Sequence, residues 1–222
     1  MKKTIFYLMA LSILSSTTIT AIPSLFGTTG LIGIPTAESL KYREMDISYD
    51  YVVGKTPELD DWYFRTNLGI FQNLEAGLTK GMVPNEGAFV NLKYFLMSDN
   101  SRFPLYIAIG FENLFSGSKT GVYMIATKKL RGGLDAHFGF TAQIVEANKI
   151  NPSIMGGLNY YLTDSFVLLG DVKGEGESYL VNGGLRLHLN QRICISVSAV
   201  DISDVNKKGI GWSVGTTITN FL

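Results

Sequence analysis

The sequence predicts an all-β protein: a closed, antiparallel transmembrane β-barrel of about twelve strands joined by short periplasmic turns. Three observations lead there. From Arg43 onward apolar residues recur at every second position. The alternating segments run to roughly 9–13 residues, the length that crosses a bilayer rather than the 5–6 residues of an ordinary globular strand. Charged residues make up only 17% of the 222-residue chain, and Gly reaches 24.

The alternation assigns faces directly, because successive side chains on a strand point to opposite sides. Met45, Ile47, Tyr49, Tyr51 and Val53 oppose Asp46, Ser48 and Asp50. Trp62, Phe64, Leu68 and Ile70 oppose Tyr63, Arg65, Asn67 and Gly69. Leu134, Ala136, Phe138 and Phe140 oppose Asp135, His137, Gly139 and Thr141. Read this way, the strands fall near 43–54, 61–71, 74–82, 87–97, 103–111, 119–130, 134–146, 153–162, 165–173, 178–188, 192–202 and 209–221. The ninth alternates least well, because Phe166 to Leu169 is apolar throughout. Linkers after odd-numbered strands average about 5.5 residues and those after even-numbered strands about 3, the sidedness of an outer-membrane barrel.

A soluble barrel would turn a Lys- and Glu-rich face to water. Here the polar face carries few charges and much Gly, which fits a crowded interior. The apolar face is almost free of charge, with Lys80 and Lys128 as exceptions near strand ends. A midplane charge on a lipid face costs about 2–4 kcal/mol. Tyr49, Tyr51, Trp62, Phe64, Tyr160, Phe166, Tyr179 and Trp212 lie towards strand ends on that face, as interfacial girdles do.

Residues 1–21 have the layout of a secretory signal peptide: Met1-Lys2-Lys3, an apolar run to Leu14, then small and polar residues to Ala21. The expected location is the bacterial outer membrane. Barrel residues then occupy 43–222, and residues 22–42 form a Gly-rich segment without alternation. Its apolar side chains cannot stay exposed after export, so Leu31, Ile32 and Ile34 are expected to anchor it as a plug or against the periplasmic mouth. It lacks the Lys-Ser/Thr of a phosphate loop.

Two stretches resemble known patterns. Gly215-Thr216-Thr217-Ile218-Thr219-Asn220-Phe221-Leu222 resembles the C-terminal signal read by the barrel-assembly machinery, with Phe221 penultimate and Leu222 last. Gly215, Ile218, Phe221 and Leu222 carry that resemblance. Thr29-Gly30-Leu31-Ile32 with Pro35-Thr36-Ala37 resembles the N-terminal motif of YjbH-like exopolysaccharide-associated outer-membrane barrels, whose members are usually much longer. That resemblance implies an envelope or polysaccharide-related role and brings no catalytic residue with it.

The balance of 19 basic and 19 acidic residues gives no nucleic-acid footprint. Cys194 is the single cysteine and His137 and His188 the only histidines, so neither a disulfide nor a metal or cofactor site is expected. Ser196 and Ser198 lie a strand after His188, with Asn182 before it, but no nucleophile motif frames either serine. The chain therefore reads as non-enzymatic.

What remains is a set of lumen charges: Asp46, Asp50, Arg65, Glu75, Lys93, Asp135, Asp171, Arg186 and Arg192. They suit a selectivity ring or mutual pairing inside a filled lumen. Two functions follow: a structural or accessory envelope role, linked through the resemblance to exopolysaccharide production or export, or a passive porin-like channel for small solutes. The expected partners are outer-membrane lipids, the assembly machinery, and polysaccharide or envelope proteins.

Overall fold

The computed structural model describes residues 22–54, 61–81, 87–98, 104–115, 120–145, 149–175, 178–205 and 209–219. The expected signal peptide, Phe221 and Leu222 lie outside them. The strands are β1 (Met45–Val53), β2 (Asp61–Phe71), β3 (Leu74–Gly81), β4 (Phe89–Ser98), β5 (Leu105–Leu114) and β6 (Gly121–Lys129). They continue as β7 (Leu134–Val145), β8 (Lys149–Thr163), β9 (Phe166–Glu175), β10 (Ser178–His188), β11 (Ile193–Val200) and β12 (Gly211–Thr219). Each pairs antiparallel with its chain neighbours. β1 closes on β12, from Asp46↔Thr219 to Val53↔Trp212, so the twelve strands form one closed barrel. Closure matters physically, because hydrocarbon offers no partner to an open strand edge.

Parity places the faces as the alternation requires. In β1, Asp46, Ser48 and Asp50 are buried inside, while Tyr49 and Val53 are exposed outside. Phe64, Leu78, Tyr94, Phe138, Leu158 and Trp212 extend the same exposed apolar surface around the barrel. On an isolated molecule in water that surface would be untenable; in lipid it is the required exterior.

Two turns at the end of the barrel where β1 begins and β12 ends are locally capped. In β8–β9 the Thr163 hydroxyl accepts from the N–H groups of Ser165 (3.3 Å) and Phe166 (3.1 Å). In β10–β11 Asn190 Oδ1 accepts from Arg192 (2.8 Å) and Ile193 (2.9 Å). Such side-chain acceptors stand in for backbone partners in a turn.

The structure corrects two details. β8 starts at Lys149 rather than 153, and β9 runs on to Glu175. The β7–β8 and β9–β10 linkers shrink to 146–148 and 176–177, so the expected long-loop side is not uniformly long. The ladder continues, through Val145↔Lys149, into residues whose weak alternation resembled a loop. Second, Arg192 is not a lumen residue. β11 begins only at Ile193, which leaves Arg192 exposed in the preceding turn.

Candidate functional site: a lumen bound to its own N-terminal segment

Residues 22–40 fold inside the barrel, and residues 41–43 are exposed where the chain leaves it for β1. The chain turns twice, through the bridges Pro23↔Thr29 and Gly30↔Pro35. Leu25 N–H donates to Ile32 O (2.8 Å), Gly30 N–H to Ile22 O (2.8 Å) and Leu31 N–H to Ile34 O (2.9 Å). A buried segment must satisfy its peptide groups, and what this one does not bond internally the lumen wall supplies.

Acidic wall residues take its N–H groups. Glu75, fully buried, accepts from Thr29 N–H (2.7 Å), the Thr29 hydroxyl (2.9 Å) and Leu40 N–H (3.0 Å). Asp171 Oδ2 accepts from Ile32 (2.7 Å) and Gly33 (2.8 Å). Basic wall residues take its carbonyls. Arg186 donates to Gly30 O (3.0 Å) and Leu31 O (2.8 Å), Arg65 to Ser24 O (2.8 Å), and Lys93 to Thr29 O (2.9 Å) and Glu38 O. Neutral groups add Asn67 to Gly27 O (3.3 Å), Thr127 Oγ1 accepting from Ala37 N–H (2.9 Å), and Tyr123 with the Thr28 hydroxyl (3.1 Å).

The charges also pair with each other. Arg65 bonds Asp50, and Lys93 Nζ lies 3.4 Å from Glu75. Asp46 receives the Asn67 amide (3.0 Å), and Asp135 receives that of Asn159 (3.2 Å). Of the charges that parity points inward, Glu75, Lys93, Asp171, Arg65 and Arg186 thus touch the segment, while Asp46, Asp50 and Asp135 hold the wall around it.

Leu31, Ile32 and Ile34 are at most 4% exposed. With Leu25 and Ala37 they pack on an apolar patch of the wall formed by Ala108, Ile125, Met155, Val167, Leu169 and Val200. Alternation alone does not reveal that patch, although β9 holds its signal. The unbroken apolar run Phe166–Leu169 is the place where the inner face turns apolar, because Val167 and Leu169 meet the segment. Lumen glycines provide the remaining room. A Cβ on Gly157 would strike the Leu31 side chain, and one on Gly69 the backbone of Lys41.

A chain of buried hydrogen bonds continues from the segment to the far end of the barrel. Asn182 donates to Asp171 Oδ1 (2.6 Å), and Asn182 Oδ1 accepts from Asp201 N–H (3.0 Å), just after β11. Asn182 is therefore engaged away from His188, while Ser196 sits opposite Arg186 and Ser198 opposite Gly184, so no triad is assembled. Among the described residues no group of three His, Cys, Asp or Glu is placed to hold a metal ion. Between segment and wall lie cavities of about 30 and 20 Å³, room for a water molecule each. Gly215 is buried on the inner face of β12, and Ile218 is partly buried opposite Ile47 of β1.

The architecture has solved counterparts. The chain is similar to the KdgM porin at a TM-score of 0.58 and 16% identity, covering 80% of this chain and 99% of that one. It is similar to the NanC porin at 0.54 and 12%, covering 78% and 98%. The outer membrane protein Omp33 of Acinetobacter baumannii follows at 0.50 and 8%, covering 82% and 99%. No family model and no curated protein matches the chain. At these identities the likeness is one of fold: a closed twelve-stranded barrel of the outer-membrane porin type.

Proposed function

We propose that this protein is a non-enzymatic outer-membrane channel of the porin type, held closed by its own N-terminal segment. The outer-membrane placement rests on the closed barrel with its apolar exterior, since only lipid suits such a surface. The porin-type barrels it resembles support the channel. One observation carries the closure. Glu75, Lys93, Asp171 and Arg186, the charges that would line an aqueous passage, are bonded to the backbone of residues 29–40.

A second reading has its own support. A filled lumen suits a structural or accessory envelope barrel. Residues Thr29 to Ile32, which carry the YjbH-like resemblance, lie within the plug. On that reading the plug is permanent and the protein serves exopolysaccharide production or export.

Single-channel recording separates the two. The intact mature chain in a planar bilayer is expected to stay closed with rare openings. Asp171→Ala combined with Arg186→Met removes bonds to Ile32, Gly33, Gly30 and Leu31, and is expected to raise the open fraction about tenfold or more, the effect of losing at least one charge-assisted bond. Steady conduction by the intact chain would overturn closure by the plug. Silence of both proteins would overturn the channel and leave the envelope role.

A further inference from the structure

One ion pair reaches across the lumen. Lys173 Nζ lies 3.0 Å from Glu112 Oε2. Lys173 belongs to β9 and Glu112 to β5, and β6, β7 and β8 stand between them in the wall. The bond therefore runs from wall to wall through the interior. The wall pairs Arg65–Asp50 and Lys93–Glu75, by contrast, each join neighbouring strands. The strands between give it room, because Gly121 of β6 and Thr141 of β7 face inward and are short.

Odd-numbered strands run away from the end where β1 begins, and the pair sits late in both β5 and β9. It also lies on the far side of the plug's contacts. Asp171, two residues before Lys173 on the same face of β9, accepts from Ile32 and Gly33. The Tyr123 ring, which a Cβ on Gly110 would strike, bonds the Thr28 hydroxyl. Both contacts stop one inward-facing position short of the pair. Lys173 and Glu112 keep 13% and 8% exposure, against 0% for Lys93 and Glu75, so water from the far mouth reaches them.

We propose that Glu112 and Lys173 form a selectivity filter, a second constriction that stays in place when the plug has moved and that sorts small ions and charged solutes by sign. The filter rests on the channel reading above. The bar they make divides the passage, so a permeating ion must go close by both charges. Paired, the two charges offset each other along the path, and the intact filter favours neither sign. Loss of one partner exposes the other.

The test reads the chloride-to-potassium permeability ratio in planar bilayers. It uses the full mature chain with Asp171→Ala and Arg186→Met, which loosen the plug, under a dilute KCl gradient that keeps screening low. Adding Glu112→Gln leaves Lys173 unpaired and is expected to raise the ratio at least about threefold, the effect of one bare charge beside the ion path. Adding Lys173→Met instead leaves Glu112 unpaired and is expected to lower it by as much. A pair that merely braced the wall would move neither ratio. Glu112→Ala with Lys173→Ala strands no charge, so it carries the test where a single change does not fold. It is expected to keep the ratio and to raise unit conductance at least about 1.5-fold by removing the bar. Opposite shifts from the two single changes, or the wider pore of the double change, support the filter. Unchanged ratios together with unchanged conductance would overturn it and leave the channel standing. Silence of the loosened-plug chain would overturn the channel reading and the filter together.

Discussion

Glu75 and Lys93 show how a single buried pair serves two structures at once. Both are fully buried, each touches the other, and each also bonds the plug. Removing one partner strands a buried charge, which typically costs about 3–5 kcal/mol, whereas replacing both with groups of similar size costs far less. Glu75→Gln alone is expected to destabilise the folded barrel by about that amount, and Glu75→Gln with Lys93→Met by distinctly less than the two single changes summed. Urea unfolding in detergent, run as a double-mutant cycle, measures the coupling; strictly additive losses would show that the pair does not act as a unit. The inward direction of these residues was legible, because parity alone sends Glu75, Lys93, Asp171 and Arg186 to the polar face. Their partners were not. Asp171 and Gly33 are 138 residues apart, and no pattern in the sequence announces that a carboxylate will cap a peptide N–H at that distance. Arg192 shows the converse limit: parity was right, but the strand began one residue too late to use it.

At the scale of elements, strands were readable because their period is set by the backbone, and they stayed readable wherever lipid and lumen impose opposite demands. Where the lumen itself becomes apolar, as at Val167 and Leu169, the period fades although the strand persists. The plug has no period. Its docking was legible from its apolar residues, but its path depends on turns fixed by specific close approaches. Gly30 is one of them. It bridges Pro35, and a Cβ there would run into the Ile34 carbonyl and the Pro35 backbone, neither of which can move aside as a side chain can. Gly30→Ala is therefore expected to loosen the plug tip while leaving the barrel intact. Hydrogen exchange reads this directly, with amides from Leu31 to Thr36 exchanging at least about tenfold faster, the effect of losing on the order of 1.4 kcal/mol of local stability, and β-strand amides unchanged. Unchanged protection across 31–36 would mean that the turn tolerates the added methyl by a route the present contacts do not provide.

The whole molecule is a barrel wide enough to need filling. Eight strands close around side chains alone, whereas twelve leave space, and residues 22–40 occupy it with a compact turn structure rather than with long side chains. That design makes the filler separable in principle. Its contacts with the wall are backbone hydrogen bonds and an apolar patch, and its covalent link to β1 adds proximity more than binding energy. A short flexible tether supplies an effective concentration in the millimolar range, so cutting it removes that advantage without removing the site. A barrel lacking residues 22–44 is thus expected to conduct, and a synthetic peptide of residues 22–44 is expected to close it again in a concentration-dependent way. Closure should follow addition to the side that carries the termini, where the segment enters to reach β1 through Arg43 N–H and Gly69 O (2.9 Å). The same peptide with Leu31→Asp would bury a charge against Met155, Val167 and Leu169 and should not close the barrel at any accessible concentration. Bilayer conductance titrated with the two peptides decides the matter: equal block by both would mean nonspecific occlusion of the pore, and block by the unaltered peptide alone would mean that the lumen recognises this segment by the contacts the folded chain displays.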